Sequence, residues 1–567
     1  MTDFHSAPIS EVPSAEAYWV IRSPVAYALI LLLSLALYLP GLQTIPAVDR
    51  DEARFAQATR QMHETGDYID IRLQNEARLK KPVGIYWLQA AATWLAGGED
   101  PANPVWTYRL PSLIGALGAV LVTLAIGRRW MGAEAGFLGA AFLATTLLLG
   151  VEARQAKTDA VLLLTILLAL AGLADAWMPD IGAPPLVRTR WIPFWGAIGV
   201  GVLVKGPIIL VVLALTSIAL SIIDRRVAWF LRLRPWPGIA ITLAIALPWL
   251  IAITLSSHGA FISQSLGHDM AAKLYGAQES HGAPPGAYIA MFPVIFWPSS
   301  LFALLSVPWI WRNRHDRGVI FCLAWIVPSW LLFEVVPTKL PHYVLPLFPP
   351  IALLAGAALS DRLDMRPTAW RRWFLHIAIG LWTLVGIALG AIVVAAAPLG
   401  DGRLSIRGIL ASTAIWTLTA GGAWLYWQGK RRQAATLAIA LAVVVWGAVF
   451  GAALPALDSP WIASRLKTAL FQRLPAGHGP VLIAGYSEPS AVLSLGTDTR
   501  FGNGGDAADL LDDTANAVAI VSEDQAAAFS ARVVERHIAV EPLGTVAGFN
   551  YAKGKRVSLN LYRRLPQ

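Results

Sequence analysis

Cysteine is nearly absent from this chain: its 567 residues contain one, Cys322. A disulfide framework and a cysteine-based metal site are therefore excluded. Charged residues are also scarce, at 14% of the sequence, whereas soluble proteins have about a quarter. No heptad, short-period repeat or nucleic-acid-binding motif occurs. These absences exclude an ordinary soluble protein, a coiled coil and a nucleic-acid-binding protein.

Hydrophobic residues make up 56% of the chain, and the mean hydropathy is +0.55. This composition predicts a polytopic α-helical membrane protein. The 24 tryptophans fit membrane interfaces, where their amphipathic rings lie at the level of the lipid headgroups. The first apolar run, 25–42, follows a polar segment without a basic region or a cleavage site, so we expect an uncleaved first span.

Apolar segments long enough to cross a bilayer recur about thirteen times in the first 454 residues. We expect spans at 25–42, 108–126, 133–151, 159–177, 191–204, 207–223, 238–255, 288–309, 318–336, 343–359, 373–396, 407–427 and 433–454. Lysine and arginine set the orientation, because short cytoplasmic loops carry the excess of them. With the N-terminus inside, every predicted inner loop is basic, beginning with Arg128 and Arg129.

An odd number of spans puts the first loop and the C-terminal region on the same, non-cytoplasmic side. The predicted domains are a cytoplasmic tail (1–24), a transmembrane domain (25–457) with a first outer loop at 43–107, and a periplasmic α/β domain (458–567). In this last domain we expect strands at 481–484, 517–521 and 556–562 and helices at 463–474 and 523–534. The glycine-rich segment 502–505 predicts a turn, because no phosphate-binding loop surrounds it.

A charged island at 49–87 follows the first span directly. It begins with acidic and basic residues, continues as a helical-looking stretch to Met62, and ends in two lysines before Pro82. Ala56, Met62 and the run 85–95 place apolar residues at helical spacing, which indicates helices lying in the membrane interface. Ionisable groups at a membrane face favour a functional site. The alternative is a solvated loop whose charges keep it soluble.

The other predicted outer loops carry few charges, and these lie on the same side as the island. A basic basin is possible there, with Asp51 and Asp159 as acids and with the cations Arg54, Lys80, Lys81, Arg154, Lys157, Lys205 and Lys339. Such a basin suits a ligand with a phosphate headgroup and an apolar tail, and it would stabilise a departing phosphate. Interfacial snorkelling explains each cation taken alone, but their concentration against the positive-inside bias favours a site.

The island resembles the first outer loop of a family of membrane glycosyltransferases. The matching residues are Asp51, Glu52, Ala53, Arg54, Phe55, Ala56, Gly66, Asp67, Tyr68, Lys81, Pro82, Tyr86 and Trp87. Weaker likenesses occur at Arg154 with Thr158 and Asp159, at 205–207, at 339–346 and at 485–490. The pattern is similar to the aminoarabinose transferase and protein mannosyltransferase-like group of GT-C glycosyltransferases, over nearly the whole chain.

This resemblance implies a GT-C fold, a polyprenyl-phosphate sugar donor and an acceptor at the outer face of the bacterial inner membrane. It implies catalytic roles for Asp51 and Asp159 and a contact between Lys81 and the donor phosphate. Further candidates for donor or substrate binding are Arg54, Lys80, Tyr86, Arg154, Lys157, Lys205, Lys339, His342 and Tyr343. Relatives commonly have a glutamate where this chain has Lys80, so we expect no dedicated metal site and no cofactor.

We therefore expect an inverting glycosyltransferase with about thirteen spans, acting on membrane lipid and not on nucleic acid. It would move a sugar such as 4-amino-4-deoxy-L-arabinose to lipid A or another envelope acceptor. Asp51 would act as a base toward a hydroxyl acceptor, or would orient a lipid A phosphate. The alternatives are a protein O-glycosyltransferase of the mannosyltransferase type and a transporter or flippase of lipid-linked sugar, which would more often show internal repeats.

Overall fold

The computed structural model describes residues 23–97, 104–179, 191–265, 282–361, 369–475 and 477–565. The predicted cytoplasmic tail lies outside these residues, except for Ser23 and Pro24. A first helix, α1 (Val25–Tyr38), leads into the island. The island contains α2 (Asp51–Thr65), a hairpin of β1 (Arg72–Leu73) and β2 (Glu76–Ala77), and the start of α3 (Gly84–Gly97). Both helices that the sequence indicates here are present.

Apolar helices account for most of the described residues that follow, up to residue 453. In chain order they are α4 (Val105–Trp130), α5 (Ala133–Thr145), α6 (Leu147–Glu152), α7 (Asp159–Trp177), α8 (Trp191–Lys205), α9 (Ile208–Asp224), α10 (Pro235–Ser256), α11 (Ala287–Ile295), α12 (Ser300–Arg312), α13 (Arg317–Val335), α14 (Phe348–Ser360), α15 (Ala369–Asp401), α16 (Ile406–Trp427) and α17 (Arg431–Trp446). A 3-10 turn, Pro341–Leu347, precedes α14, and a π-helical turn, Gly447–Ala453, extends α17.

Among the described residues, eight helical segments are long and apolar enough to cross a membrane, and four shorter apolar helices accompany them. Two predicted spans are broken: 133–151 forms α5 and α6, and 288–309 forms α11 and α12. In the second case Pro298 lies at the break, and proline has no N–H with which to continue a helix. The count of about thirteen spans therefore stays a prediction.

The outer surfaces of the long helices are apolar. In the most hydrophobic 18-residue stretch of α10, only 22% is buried. The exposed side chains of this helix include Ile239, Leu243, Leu247, Ile251 and Leu255. An exposed apolar surface of this length suits the hydrocarbon core of a bilayer. The chain is therefore a helical membrane protein, as its composition indicates.

The C-terminal domain, residues 458–565, is a five-stranded sheet with flanking helices. Its elements are α18 (Ile462–Arg473), β3 (Val481–Ala484), α19 (Pro489–Leu495), β4 (Arg500–Gly502), α20 (Gly504–Asp513), β5 (Val518–Ser522), α21 (Ala526–Glu535), β6 (Val540–Asn550) and β7 (Lys555–Arg564). The strand order is β4-β3-β5-β7-β6; the first three strands are parallel, and β7 pairs antiparallel with both β5 and β6. The three predicted strands are present, whereas β4 and β6 were not predicted.

The segment 502–505 does not form the expected turn: Gly502 ends β4, and Gly504 and Gly505 begin α20. Asn503 caps α20: its side chain accepts from the N–H of Asp506, whose carboxylate accepts from the N–H of Asn503. This reciprocal capping box satisfies the free N–H groups at the helix start. These N–H groups therefore already have hydrogen-bond acceptors within the protein.

A buried ion pair fastens the island to the bundle. Arg109 of α4 donates to both carboxylate oxygens of Glu52 on α2, at 2.8 and 2.9 Å. The same guanidinium donates to the carbonyl oxygens of Leu42 and Ile45, between α1 and α2. Glu52 also accepts from the N–H of Ala156, in the loop before α7. One charge pair thus connects four segments of chain around the start of α2.

Arg109→Met should destabilise the protein by about 3–5 kcal/mol, because it leaves the buried carboxylate of Glu52 without its partner. Adding Glu52→Gln removes the second charge and should recover much of this loss. Thermal unfolding of the detergent-purified variants measures both effects. Arg432→Met is the control, since it breaks a partly exposed pair with Glu134 and should cost less than about 1 kcal/mol. Equal losses of stability in Arg109→Met and Arg432→Met would contradict this account.

Candidate active site

A cavity of about 350 Å³ lies between the island and the ends of the bundle helices. Its lining includes nine of the twelve residues that the sequence predicts for the site: Asp51, Arg54, Lys80, Lys81, Lys157, Asp159, Lys205, His342 and Tyr343. These residues come from five places in the chain, separated by up to about 290 residues. The tertiary fold therefore brings them together.

Close packing of α3 against α8 places two of the lysines in one cavity. A Cβ atom added to Gly84, the first residue of α3, would lie 2.7 Å from the carbonyl oxygen of Leu203 on α8. Real Cβ atoms do not approach so closely, so this crossing requires glycine. Lys81 precedes Gly84 by three residues, and Lys205 follows Leu203 by two. The contact therefore positions both ammonium groups.

Asp159 is the buried acid of the cavity. It is the first residue of α7, and its carboxylate accepts a hydrogen bond from the ammonium of Lys205. The side chains of Asp159 and Lys205 are 4% and 9% exposed. The ammonium of Lys205 also lies 5.6 Å from the ring centre of Tyr343, within the range of a cation–π contact. Asp159 thus has a fixed orientation and a paired charge.

A second buried pair lies beside the first. The ammonium of Lys157 donates to Glu152 at 3.1 Å, and Nδ1 of His342 lies 4.0 Å from the same oxygen. Burial lowers the pKa of Lys157, but the carboxylates of Glu152, Asp159 and Asp51 more than offset this and hold the pKa above its ordinary value. Burial raises the pKa of Glu152, against the opposing charge of Lys157. Sequence reasoning did not select Glu152; its only signal is its place in the charged run before α7.

Glu152, Asp159 and His342 offer ligand atoms within 4.8 Å of one another. Carboxylate and imidazole groups at such distances could surround a divalent cation. Both carboxylates, however, already accept from the ammonium groups of Lys157 and Lys205. A metal ion there would be repelled by two fixed positive charges. The residues fit a charge-compensated network better than they fit a metal centre.

Asp51 is an accessible acid of the cavity. It is the first residue of α2, and its side chain is 52% exposed. Its nearest ion-pair partner is Arg54, at 3.9 Å. Asp51 is therefore better placed than the buried Asp159 to take a proton from an entering group.

Positive charge predominates in the cavity lining. Among the described residues, the cationic side chains of the lining are Arg54, Arg78, Lys80, Lys81, Lys157 and Lys205, and the acidic ones are Asp51, Glu76 and Asp159. An excess of cations in a concave site raises the local concentration of anions. The cavity therefore suits an anionic group such as a phosphate, as the sequence predicts. Arg78 was not predicted.

Three predicted site residues do not line the cavity. Tyr86 packs against Phe55, with 5.3 Å between ring centres, and its hydroxyl accepts from Nε of Arg78 at 3.0 Å. Its role is therefore to support Arg78, which does line the cavity. The motif indicated an aromatic residue near the site but gave no direction for the side chain.

The other two are Arg154 and Lys339, and both donate to the backbone. The guanidinium of Arg154 lies 4.2 Å from the ring centre of Phe450 and donates to the carbonyl oxygens of Leu37, Pro40 and Gly150. The ammonium of Lys339 donates to the carbonyl oxygens of Phe333, Glu334 and Val336 at the C-terminal end of α13. A cation at that end of a helix is stabilised by the unpaired carbonyl groups. The structure thus corrects the prediction that these two cations face the substrate.

The chain is similar to known proteins in both sequence and fold. A family profile described as Dolichyl-phosphate-mannose-protein mannosyltransferase matches residues 80–251. The undecaprenyl phosphate-alpha-4-amino-4-deoxy-L-arabinose arabinosyl transferase 2 of Pseudomonas fluorescens is 26% identical over 353 residues, which are 59% of this chain and 60% of that protein. The corresponding transferase of Pectobacterium atrosepticum is 26% identical over 377 residues, 64% of each chain. This chain thus spans less than two thirds of the length of these relatives.

The fold comparison covers almost the whole chain. The crystal structure of ArnT from Cupriavidus metallidurans bound to undecaprenyl phosphate matches 96% of this chain and 98% of that one, with a TM-score of 0.72 and 17% identity. The same protein in the apo state gives a TM-score of 0.70 with 18% identity. The chain therefore has the same fold as these two structures. This agrees with the resemblance of the island.

The family profile covers part of the cavity. It includes Lys80, Lys81, Lys157, Asp159 and Lys205 and stops before the turn that carries His342 and Tyr343. Asp51 and Arg54 also lie outside it. The fold likeness covers these remaining positions, and the cavity gives them a common location.

Proposed function

We propose that the protein is an inverting glycosyltransferase that takes a sugar from a polyprenyl-phosphate carrier. The observation that supports this most is the cationic cavity with the accessible carboxylate of Asp51. An apolar groove is lined by residues close in sequence to those of the cavity. The relatives are named for the transfer of 4-amino-4-deoxy-L-arabinose, and we propose this sugar or a related one. Lipid A or another envelope molecule is the proposed acceptor.

The apolar groove gives the carrier's tail a place in the membrane. It encloses about 840 Å³ between α3, α4, α7 and α8, and its lining residues include Leu88, Val161 and Val200. Val161 lies two residues beyond Asp159, and Val200 lies five residues before Lys205. A polyprenyl phosphate with its headgroup in the cavity could therefore extend its chain along the groove. The tail would be in an apolar environment both in the lipid and in the groove, so its burial there would contribute little binding free energy. Contacts of the headgroup would therefore determine specificity.

Lys81 is the proposed first contact of the donor phosphate, with Arg54, Lys80 and Lys205 as further contacts. Ammonium and guanidinium groups form charge-assisted hydrogen bonds to phosphate. These groups would also stabilise the negative charge that develops as polyprenyl phosphate leaves. Lys157 and Asp159 would keep Lys205 and the cavity wall in place.

In the proposed step, the acceptor oxygen forms a bond to the anomeric carbon while the bond from that carbon to the phosphate oxygen breaks. Polyprenyl phosphate leaves with the electron pair. A hydroxyl acceptor would transfer its proton to Asp51. A lipid A phosphate acceptor is already an anion, and Asp51 would then orient it or stabilise positive charge on the sugar. Attack opposite the leaving phosphate inverts the anomeric configuration.

The proposed location is the bacterial inner membrane, with about thirteen spans. The cavity and the C-terminal domain would both face the periplasm. Contacts between α2 and α19 support a common side, because they place the island and the C-terminal domain at the same end of the bundle. The basic loops predicted at the opposite, inner side support the periplasmic orientation of this end of the bundle.

Transfer should need no divalent metal, because lysine side chains already neutralise the carboxylates beside His342. Excess EDTA should leave the transfer rate of the purified protein within about twofold of the untreated rate. Turnover of reconstituted protein with a polyprenyl-phosphate sugar, before and after chelation, measures this. Loss of turnover that is restored by Mg²⁺, Mn²⁺ or Zn²⁺ would contradict it.

Lys81→Gln should weaken the binding of undecaprenyl phosphate by roughly 10- to 100-fold, the loss of one hydrogen bond to a charged group. Lys339→Gln is the matched control and should leave binding unchanged, because the ammonium of Lys339 faces the carbonyl groups of α13. Titration of undecaprenyl phosphate into the detergent-purified variants compares the two. An equal loss of affinity in both variants would show that overall charge, and not the cavity, determines binding.

Asp51→Asn should fold normally and abolish transfer, because Asn keeps the shape of the side chain but loses its charge. It can then neither accept a proton from a hydroxyl acceptor nor stabilise positive charge on the sugar. Mass spectrometry of lipid A from cells with and without the gene measures the product. A sugar-sized mass difference that disappears in Asp51→Asn is the expected result. Retained modification would contradict the role of Asp51. Lipid A that stays unmodified with the wild-type protein would contradict lipid A as the acceptor.

Protein O-glycosylation is the second candidate. The family profile over residues 80–251 carries the name of a protein mannosyltransferase, and Asp51 would suit a serine or threonine hydroxyl as its base. Glycopeptide analysis of envelope proteins from the same cells distinguishes the two acceptors.

A further inference from the structure

The start of α2 is held by the C-terminal domain as well as by the bundle. The N–H of Asp49 donates to the hydroxyl of Tyr551 at 2.6 Å, and the guanidinium of Arg50 donates to the carbonyl oxygen of Ala552 at 2.9 Å. Both acceptors lie in the turn between β6 and β7. The two residues directly before Asp51 therefore rest on this turn.

Arg50 has a backbone conformation that needs such support. Its φ of 67° and ψ of −100° lie outside the regions that residues with a side chain ordinarily adopt. Conformations of this kind cost about 1–3 kcal/mol and persist where surrounding contacts determine them. Here the strained residue immediately precedes the acid of the cavity. Its φ and ψ set the direction in which α2 begins and thus where the carboxylate of Asp51 lies.

The turn between β6 and β7 is itself well fixed. The side chain of Asn550 accepts from the N–H groups of Ala552 and Lys553, at 3.0 and 3.1 Å, and donates to Glu488 at 3.0 Å. Asn550 and Glu488 are 2% and 3% exposed. A rigid, buried network thus holds the groups that contact Asp49 and Arg50.

The C-terminal domain also holds the far end of α2. The hydroxyl of Thr497 accepts from the side-chain amide of Gln57 at 2.7 Å and donates to Glu64 at 2.8 Å. Arg60 donates to the carbonyl oxygen of Leu493 at 3.0 Å. Leu493 packs against the small apolar cluster of Ala56, Tyr108 and Ala156. The domain therefore contacts α2 at both ends, and not only at its first turn.

We propose that the C-terminal domain is a positioning element of the active site: its β6–β7 turn and the segment 493–499 hold α2 so that Asp51 faces the cavity. Tyr551, Thr497 and Arg50 are the positioning residues. They are not among the residues that line the cavity, and they act through Asp51. This inference rests on the proposed function, because it assumes that Asp51 takes part in transfer. It differs from a role of the domain in docking the acceptor, which would act through acceptor affinity.

Tyr551→Phe and Thr497→Val in the full-length protein test the proposal. Each removes a hydroxyl that holds α2, and the expected result is a 5- to 100-fold fall in kcat with unchanged KM for donor and acceptor and an unchanged Tm. This range corresponds to one to two hydrogen bonds. Thr545→Val is the matched control: its hydroxyl bonds to Asn560 within the same hairpin, away from α2, and kcat should stay at the wild-type value.

Arg50 supplies a rescue experiment. Arg50→Met removes the donor to Ala552 and should lower kcat, whereas Arg50→Lys keeps a cationic donor and should recover part of the loss. Wild-type turnover with the polyprenyl-phosphate donor, and its loss in Asp51→Asn, are measured first. If the wild-type protein shows no turnover, the proposed function fails. If Asp51→Asn is active, the role of Asp51 fails, and the positioning role fails with it. If only Asp51→Asn is inactive and the Tyr551 and Thr497 variants match the wild type, or raise acceptor KM alone, the positioning role is overturned.

Discussion

The buried pair of Arg109 and Glu52 is the constraint on which the site depends. Two opposite charges without solvent contact are costly to desolvate, and the cost is offset only when their remaining hydrogen bonds are also made. Here the partners are the backbone groups of the chain between α1 and α2 and of the loop before α7. The pair thus joins the segment that carries Asp51 to the loop that carries Lys157 and Asp159. Both sides of the cavity are fixed by one interaction.

A second consequence is a division between paired and available charge. The buried acids Asp159 and Glu152 accept from Lys205 and Lys157, so they shape the cavity wall. Asp51 is half exposed, and the cations at the cavity outnumber the acids. The C-terminal domain then holds the far side of the same segment through Tyr551 and Thr497. A soluble domain and a membrane bundle thereby fix one helix between them, which is the physical basis of the positioning role proposed for the domain.

The sequence predicts the cavity better than it predicts individual contacts. The run after the first span, and the lysines at 81 and 205, could be recognised because charged residues stand out in an apolar chain. Arg154 and Lys339 share that signal, and Tyr86 belongs to the motif. The side chains of all three turn toward other parts of the protein, however, and no spacing rule gives that direction. Glu52 was visible in the motif, yet its partner Arg109 lies 57 residues away and depends on the tertiary fold. Strand β6 was missed because its alternating pattern is interrupted at Pro542 and Gly544, where the register with β7 shifts.

The central claim is that the cavity binds the phosphate of a polyprenyl carrier whose tail follows the apolar groove. A cryo-electron microscopy structure of the protein with undecaprenyl phosphate tests it most directly. The account predicts phosphate density within hydrogen-bonding distance of Lys81, with the chain running past Leu88 and Val161 between α3 and α7. Phosphate density at another place, with the cationic cavity still filled by water, would contradict it.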